Sequence, residues 1–449
     1  MEARKFVEID CPPVAYEAIS SDPSFTDLYT HGVTVRGALQ MNPGDWKIVS
    51  GTPKNIAFVE EAGELGLLDS ARVLFTSEAL RCTDPEAYQR PLTELWRHGC
   101  INDRWVVSPY MVTRSFEAMV KRVTGGDLKI IGNAAETERL LNNKGILYPG
   151  FNFVNEMYRP KRNLPLLVTK GYVVENKPDL LGAAIERMLL TYPAGVAVKA
   201  NLSGNGEGIY PRIQCPNQSF HRITSAQVII EKSMISSSGE GPVAMSAQVS
   251  GSSRVLTPAF QVVDSHGHYR GCSSSPVCVD PADADLWYVI THKKFSDVIV
   301  RAVRNLARTV RLIGNGSVDI LVSRDVRTLV RSIDSLSTKQ LFRVLQKNEL
   351  VTTDDPNWPR KTGDIVCGRK FVEENKLRGN IQYRMGFLNA RKGISLTELH
   401  QAVSSVDAAG VEVKITAFAP QTTYASVAVS GKDQARVDQV FKEIECMSK

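Results

Sequence analysis

Apolar and polar positions follow two periods along this chain, and the switches between them mark out its elements. Short apolar runs at Val73-Leu74-Phe75-Thr76 and Trp105-Val106-Val107-Ser108 predict buried strands, each followed by a polar stretch. The helical spacing of Thr113 to Arg122 comes next. Strands alternating with helices predict an open α/β domain over residues 1–125. Within it, Pro12-Pro13, Asn42-Pro43-Gly44-Asp45 and Thr52-Pro53 cut the first sixty residues into short segments.

The middle of the chain, 126–345, reads as a second domain. Lys129 to Asn133 is followed by a helix-like run, Ala134 to Leu141, ending Asn142-Asn143-Lys144-Gly145. Leu164 to Val174 is strand-like, and Leu180, Leu181, Ala184, Ile185, Met188 and Leu189 stand at helical spacing. The strand Val196 to Val198 then delivers Lys199 into a loop with glycines at 204, 206 and 208. A further strand is predicted over Ala226 to Ile235. An antiparallel run follows at Ala244–Val249, Pro258–Asp264 and Tyr269-Arg270-Gly271. Val300, Val303, Leu306, Ala307 and Val310 form one stripe of a helix over Ser296 to Leu312. Gly314–Val322 and Thr328–Asp334 then read as two strands joined by a short turn.

The last stretch, 346–449, orders a strand at Ile381–Leu388, a helix at Ser395–Val403, strands at Val411–Phe418 and Thr423–Val429, and a helix at Lys432–Ile444. This predicts a small α+β domain, with Asp354 to Pro359 as the linker before it.

Composition narrows the class. A chain of 449 residues suits about three domains. A net charge of +6 without a basic stripe interleaved with aromatics argues against nucleic acid as a partner. No apolar run reaches membrane-spanning length, and Met1 to Lys5 opens without the apolar core of a secretion signal. Eight cysteines without a Cys-x-x-Cys pair read as reduced thiols of a cytoplasmic protein, not as a zinc site. His266-Gly267-His268 falls in a predicted turn.

Candidate chemistry begins at Lys199. Burying an ammonium costs several kcal/mol unless it is paired, so this lysine requires an anion or a path to solvent. The loop Ser203-Gly204-Asn205-Gly206-Glu207-Gly208 could bring backbone N–H groups to such an anion. A plain hairpin with a glycine-rich turn fits the same stretch. Ile230 and Met234 could pack the faces of a purine while the backbone of Glu231-Lys232-Ser233-Met234 meets its edge; an ordinary edge strand fits too. Asp319 and Asp334, on neighbouring strands, would come within reach of one Mg²⁺, which needs few carboxylates when phosphate oxygens complete its shell. Arg270, Arg331 or Arg301 could hold a substrate carboxylate in bidentate fashion.

The order of these parts resembles the ATP-grasp superfamily of carboxylate–amine ligases: lysine at a helix end, lysine strand, glycine loop, Glu-bearing strand, long helix, Val-Asp-Ile strand, acidic segment. Met245-Ser246-Ala247-Gln248, Arg270-Gly271-Cys272 and the extra C-terminal domain look most like the pheganomycin-type peptide ligases. The resemblance implies an ATP-grasp fold behind an N-terminal open α/β domain, with ATP and Mg²⁺ as cofactors. It implies phosphate contacts from Lys144, Lys199 and the 203–208 loop, adenosine held by Glu231, Lys232 and Met234, and metal on Asp319 and Asp334. The substrates implied are a small acid or amino acid and an amine or peptide acceptor; similar ligases are commonly homodimers. The superfamily's Glu-x-Asn pair, followed by Arg or Pro, aligns in this reading with Ser332-Ile333-Asp334. Serine in place of glutamate leaves open an alternative, a degenerate ATP-grasp protein that binds nucleotide or a partner without ligating anything.

Overall fold

The computed structural model describes residues 5–9, 39, 44–77, 85–109, 112–132, 135, 171–201, 209–216, 220, 223, 226–250, 254–255, 258–263, 269–276, 281–309, 315–357, 382–391, 393–418 and 425–449. The chain divides into two compact units, one of 1–138 with 313–315 and 359–449, the other of 139–312 with 316–358.

In the first unit, β1 (Phe6–Ile9), β2 (Trp46–Val49), β3 (Val73–Phe75), β4 (Val106–Pro109) and β5 (Lys129–Ile130) form a parallel sheet of order β3-β2-β1-β4-β5. Parallel sheets survive only with both faces covered, and the side chains here sort accordingly. Val7, Ile9, Ile48 and Val107 pack with Leu92, Leu95, Phe116 and Met119. Val49 and Val73 pack on the opposite face with Phe58, Val59 and Ala62 of α1 (Pro53–Glu64). Leu92 and Leu95 come from α2 (Gln89–Arg97), and Phe116 and Met119 from α3 (Arg114–Thr124). The sequence places the caps: Thr52 accepts from Asn55 N ahead of Pro53, and Thr113 accepts from Phe116 N. Helix α3 stops at Gly125, whose φ of 68° suits glycine.

The second unit opens with a small lobe. β6 (Gly171–Glu175), α4 (Pro178–Thr191), β7 (Val196–Ala200), β8 (Ile209–Ile213) and β9 (Gln227–Lys232) build an antiparallel sheet of order β6-β9-β7-β8. Leu181, Ile185 and Met188 of the helix pack on Val196, Val198, Val228 and Ile230.

A larger lobe follows, with β10 (Val243–Ser250), β11 (Arg254–Val255), β12 (Ala259–Val263), β13 (Tyr269–Ser273), α5 (Ala284–Thr291), α6 (Lys293–Thr309), β14 (Asn315–Val322), α7 (Thr338–Lys347) and β15 (Val351–Asn357). Its strands run β15-β14-β10-β12-β13, with β11 paired to β10. Val298, Ile299, Ala302, Val303 and Leu306 of α6 pack into the core of this lobe against Met245, Val318 and Ile320. Two expectations fail here. Thr328–Asp334 is not a strand: Arg324–Leu329 is a 3₁₀ helix, and the residues after it continue in tight turns, with Ser332 N bonded to Leu329 O and Ser335 N to Ser332 O. Asp354 to Asn357 is not a linker but the second half of β15.

The first unit is completed by β16 (Gln382–Phe387), α8 (Leu396–Ser405), β17 (Val411–Phe418), β18 (Ala425–Gly431) and α9 (Gln434–Met447), with strand order β16-β18-β17. This is the α+β arrangement expected of the C-terminal segment. It shares one core with α1: Phe58 stacks on Phe418 at 6.0 Å, and the Glu61 carboxylate accepts from Thr397 N and Oγ1. Among the described residues no helix is long and apolar enough to cross a membrane.

The turn that joins β2 to α1 leaves no room for a side chain. A Cβ at Gly51 would lie 2.0 Å from the Thr76 carbonyl oxygen. Gly51→Ala is expected to destabilise the fold by about 1–3 kcal/mol, read as a lower midpoint in urea; an unchanged midpoint contradicts this packing.

Candidate functional site

Every residue of β7 is buried, and its one charge is Lys199, 3% exposed. In the β7–β9 ladder Ala197 stands opposite Glu231 and Lys199 opposite Ile229, so Lys199 and Glu231 are diagonal neighbours on one face. Glu231 is also 3% exposed, and the two side chains form an ion pair. Here is the anion that a buried lysine requires. The pair sits at the point where β9 runs out into the connection between the lobes.

Strand alternation turns Lys232 the other way. Its ammonium donates to the carbonyls of Asn348 and Glu349, 3.2 Å each, and lies 3.8 Å from the Glu349 carboxylate. The other Glu349 oxygen accepts from Tyr192 Oη at 3.2 Å. Burial, and then the neighbouring Glu349 charge, pushes the Tyr192 phenol well above its ordinary value. Beyond Lys232 the connection is pinned. Ser233 Oγ donates to Pro211 O at 2.7 Å, Met234 is buried, and Ser237 donates through N and Oγ to the Asp325 carboxylate. Arg324 reaches Gly241 O and pairs with Asp283, while Arg327 holds Ser238 and Glu240.

On the large lobe, Asp319 lies half-buried on β14 and accepts from Gln261 Nε2 at 2.8 Å. Its strand partner is β15, whose register sets Asp319 directly across from Asp355. The register shifts between Asp319 and Ile320, an irregularity of the kind that re-aims residues at functional sites. Asn357 stands two positions along, across from Ser317.

Asp334 therefore does not share a strand pair with Asp319. It is exposed, in the turns after the 3₁₀ helix, where its carboxylate accepts from Tyr288 Oη at 2.7 Å and lies 3.1 Å from His292 Nε2. His292 Nδ1 accepts from Lys294 N, so Nε2 carries the proton toward Asp334. The Tyr288 hydroxyl, and secondarily His292 and Lys294, hold the Asp334 carboxyl below its ordinary value. Asp334 thus fastens a turn to the junction of α5 and α6. Ser332 belongs to the same turns, so it does not stand on a strand beside Asp319. The strand that stands beside Asp319 carries Asp355-Pro356-Asn357. The proline inside it argues against a central strand, and β15 is an edge strand, where proline is tolerated.

Of the other candidates, Arg270 on β13 and Arg331 in the turns are both exposed. Lys144, Ser203, Gly204, Asn205, Gly206 and Gly208 lie outside the described residues.

No family model matches the chain, and no curated protein matches it in sequence. Solved structures do match in fold. A biotin carboxylase from Campylobacter jejuni, in complex with β,γ-ATP, superposes with a TM-score of 0.53 at 11% identity, over 98% of this chain and 90% of that one. Carboxyaminoimidazole ribonucleotide synthase from Aspergillus clavatus, complexed with ATP, gives 0.50 at 9% identity over 99% and 98%. The N5-carboxyaminoimidazole ribonucleotide synthetase of Thermotoga maritima gives 0.50 at 11% over the same shares. The chain has the ATP-grasp fold.

Two expectations follow from this geometry. Lys199→Met removes the ammonium that faces the buried Glu231 carboxylate and should cost about 3–5 kcal/mol, with Lys199→Met/Glu231→Leu recovering most of it; equal losses in single and double variants contradict the pairing. Because the Tyr192 pKa is raised above its ordinary value of 10.0, the stability tied to its protonated form is complete below about pH 10 and declines as pH rises further. Tyr192→Phe should flatten the fall of the thermal midpoint above pH 10, and identical curves for both proteins contradict that assignment.

Proposed function

We propose that this protein is an ATP- and Mg²⁺-dependent carboxylate–amine ligase of the ATP-grasp type, joining a small acid or amino acid to an amine or peptide acceptor. The single observation that carries the reading is the register of β14 and β15, which sets Asp319 across from Asp355 in the same unit as the Lys199–Glu231 pair. This donor set fits the group: two carboxylates with an adjacent asparagine suit Mg²⁺, which prefers few protein oxygens and takes the rest from phosphate and water. When bound, MgATP would give its γ-phosphoryl group to the substrate carboxylate with ADP as leaving group, and the amine would displace phosphate to form the amide.

The chain's residues contribute position and charge, and no covalent nucleophile is required. Asp319 and Asp355, with Asn357, would hold the metal; the Gln261 amide donates to the Asp319 carboxylate and orients it. Lys199 faces the phosphates together with Lys144 and the glycine loop Ser203 to Gly208. The backbone of Glu231 to Met234 lines the purine. Arg270 or Arg331 holds the substrate carboxylate. Met245-Ser246-Ala247-Gln248, Arg270-Gly271-Cys272 and the C-terminal α+β segment favour a peptide ligase of the pheganomycin type. A homodimer in the cytoplasm accords with these features. The non-ligating alternative rests on Ser332, which lies in the turns after the 3₁₀ helix and not on a strand.

Phosphate release in the presence of mixed amino acids and peptides, with product mass, tests the reading. Asp319→Asn and Asp355→Asn are each expected to lower Mg²⁺-dependent turnover by at least about 100-fold, and Gln261→Met by about 10–100-fold through weaker metal binding. Asp334→Asn should leave turnover within about twofold, as expected for a surface contact away from special features. Full activity in Asp355→Asn removes that residue from the metal site. MgATP binding without phosphate release under any acceptor pool overturns the ligase reading.

A further inference from the structure

Helix α7 ends in a Schellman motif: Leu350 N bonds to Leu345 O at 2.9 Å, and Glu349 N to Gln346 O at 3.1 Å. The motif places its next-to-last residue in left-handed backbone, the position where glycine is favoured because it has no Cβ. Here that residue is Glu349, with φ of 49°. Among the described residues it is the one non-glycine with positive φ. A glutamate held in this conformation stores strain that a glycine would relieve, and such outliers persist where the side chain has work to do.

The contacts of Glu349 show what that work is. One carboxylate oxygen takes the Tyr192 hydroxyl, at the C-cap of α4 in the small lobe. The other faces the Lys232 ammonium at 3.8 Å, while the same ammonium caps the Asn348 and Glu349 carbonyls left over at the end of α7. Three segments meet at this residue: the end of the small-lobe helix, the end of β9, and the large-lobe turn between α7 and β15. Lys232 is flanked by Glu231, which pairs with Lys199, and by Ser233-Met234, which open the connection between lobes. Beyond the turn, β15 runs on to Asp355.

We propose that Glu349 is a positioning residue: its carboxylate clasps Tyr192 and Lys232 so that the lobe carrying Lys199 and the strand carrying Asp355 keep a fixed relation. Its role in nucleotide binding rests on the reading given under Proposed function; the clasp itself does not. Through β9 it sets the inter-lobe connection against the large lobe, and through Tyr192 it fixes the helix that backs the small sheet.

The test uses the full chain with Glu349→Gly, which keeps the helix ending and removes the carboxylate, and Glu349→Gln, which retains an acceptor for Tyr192. Amide hydrogen exchange without nucleotide reads the clasp. Glu349→Gly is expected to speed exchange at Ser233, Ser236 and Tyr192, each hydrogen-bonded in the structure, while Ile320 on β14 is unchanged. Glu349→Gln should fall between that variant and the parent. Unaltered exchange at all three amides overturns the clasp, as does a uniform rise that includes Ile320, which would mark general destabilisation. Calorimetry with MgATP reads the consequence. Glu349→Gly should raise Kd about fivefold or more, with a thermal midpoint no more than a few degrees below the parent's. Faster exchange with unchanged Kd overturns the positioning role. If the parent protein binds no MgATP, the ligase reading fails while the exchange data still decide the clasp.

Discussion

The structure depends on one buried ion pair. Lys199 and Glu231 lie on adjacent strands, and both side chains are buried against each other. A shift of either strand by one residue would turn one charge to the other face and separate the pair, so the pair fixes the register of β7 against β9. Such a pair contributes less to net stability than a hydrophobic substitute could. What it supplies is specificity of pairing at the strand end from which the inter-lobe connection departs.

From that end the rest of the second unit is held by a chain of polar contacts. Lys232 meets the carbonyls at the end of α7, Ser237 meets Asp325, and Arg324 and Arg327 gather Gly241, Asp283, Ser238 and Glu240. Exposed ion pairs are individually worth little. These share partners and several involve backbone carbonyls, so they order the connection more than they stabilise the lobes. The apolar cores on either side are separate, Leu181 to Ile230 in one lobe and Val243 to Val351 in the other. The position of one lobe on the other is therefore decided by directional contacts rather than by burial.

The acidic residues show where local pattern misleads. Thr328-Leu329-Val330-Arg331-Ser332-Ile333 reads as a half-buried strand, and Ile333 is indeed fully buried. Ser332 and Ser335 instead close successive turns onto Leu329 and Ser332 carbonyls, and the capping box of Ser337 and Gln340 starts a helix directly afterwards. The strand that does pair with β14 contains two adjacent aspartates and a proline, a composition that suggests a linker. Its neighbour in the sheet, not its own propensity, makes it a strand.

Much of the fold was legible from period alone. The α/β alternation of the N-terminal segment, the helix behind Lys199, the long amphipathic helix after Thr291 and the C-terminal strands all follow from apolar spacing, because that signal is local. The need of Lys199 for an anion was equally plain, since a charge in an apolar strand has few ways to survive. That Glu231 meets this need, that Asp355 rather than Asp334 stands across from Asp319, and that the elements from β16 to α9 share a core with α1 were decided only in three dimensions. Each depends on register or on contact between segments far apart in the chain, and no spacing along one strand carries that information.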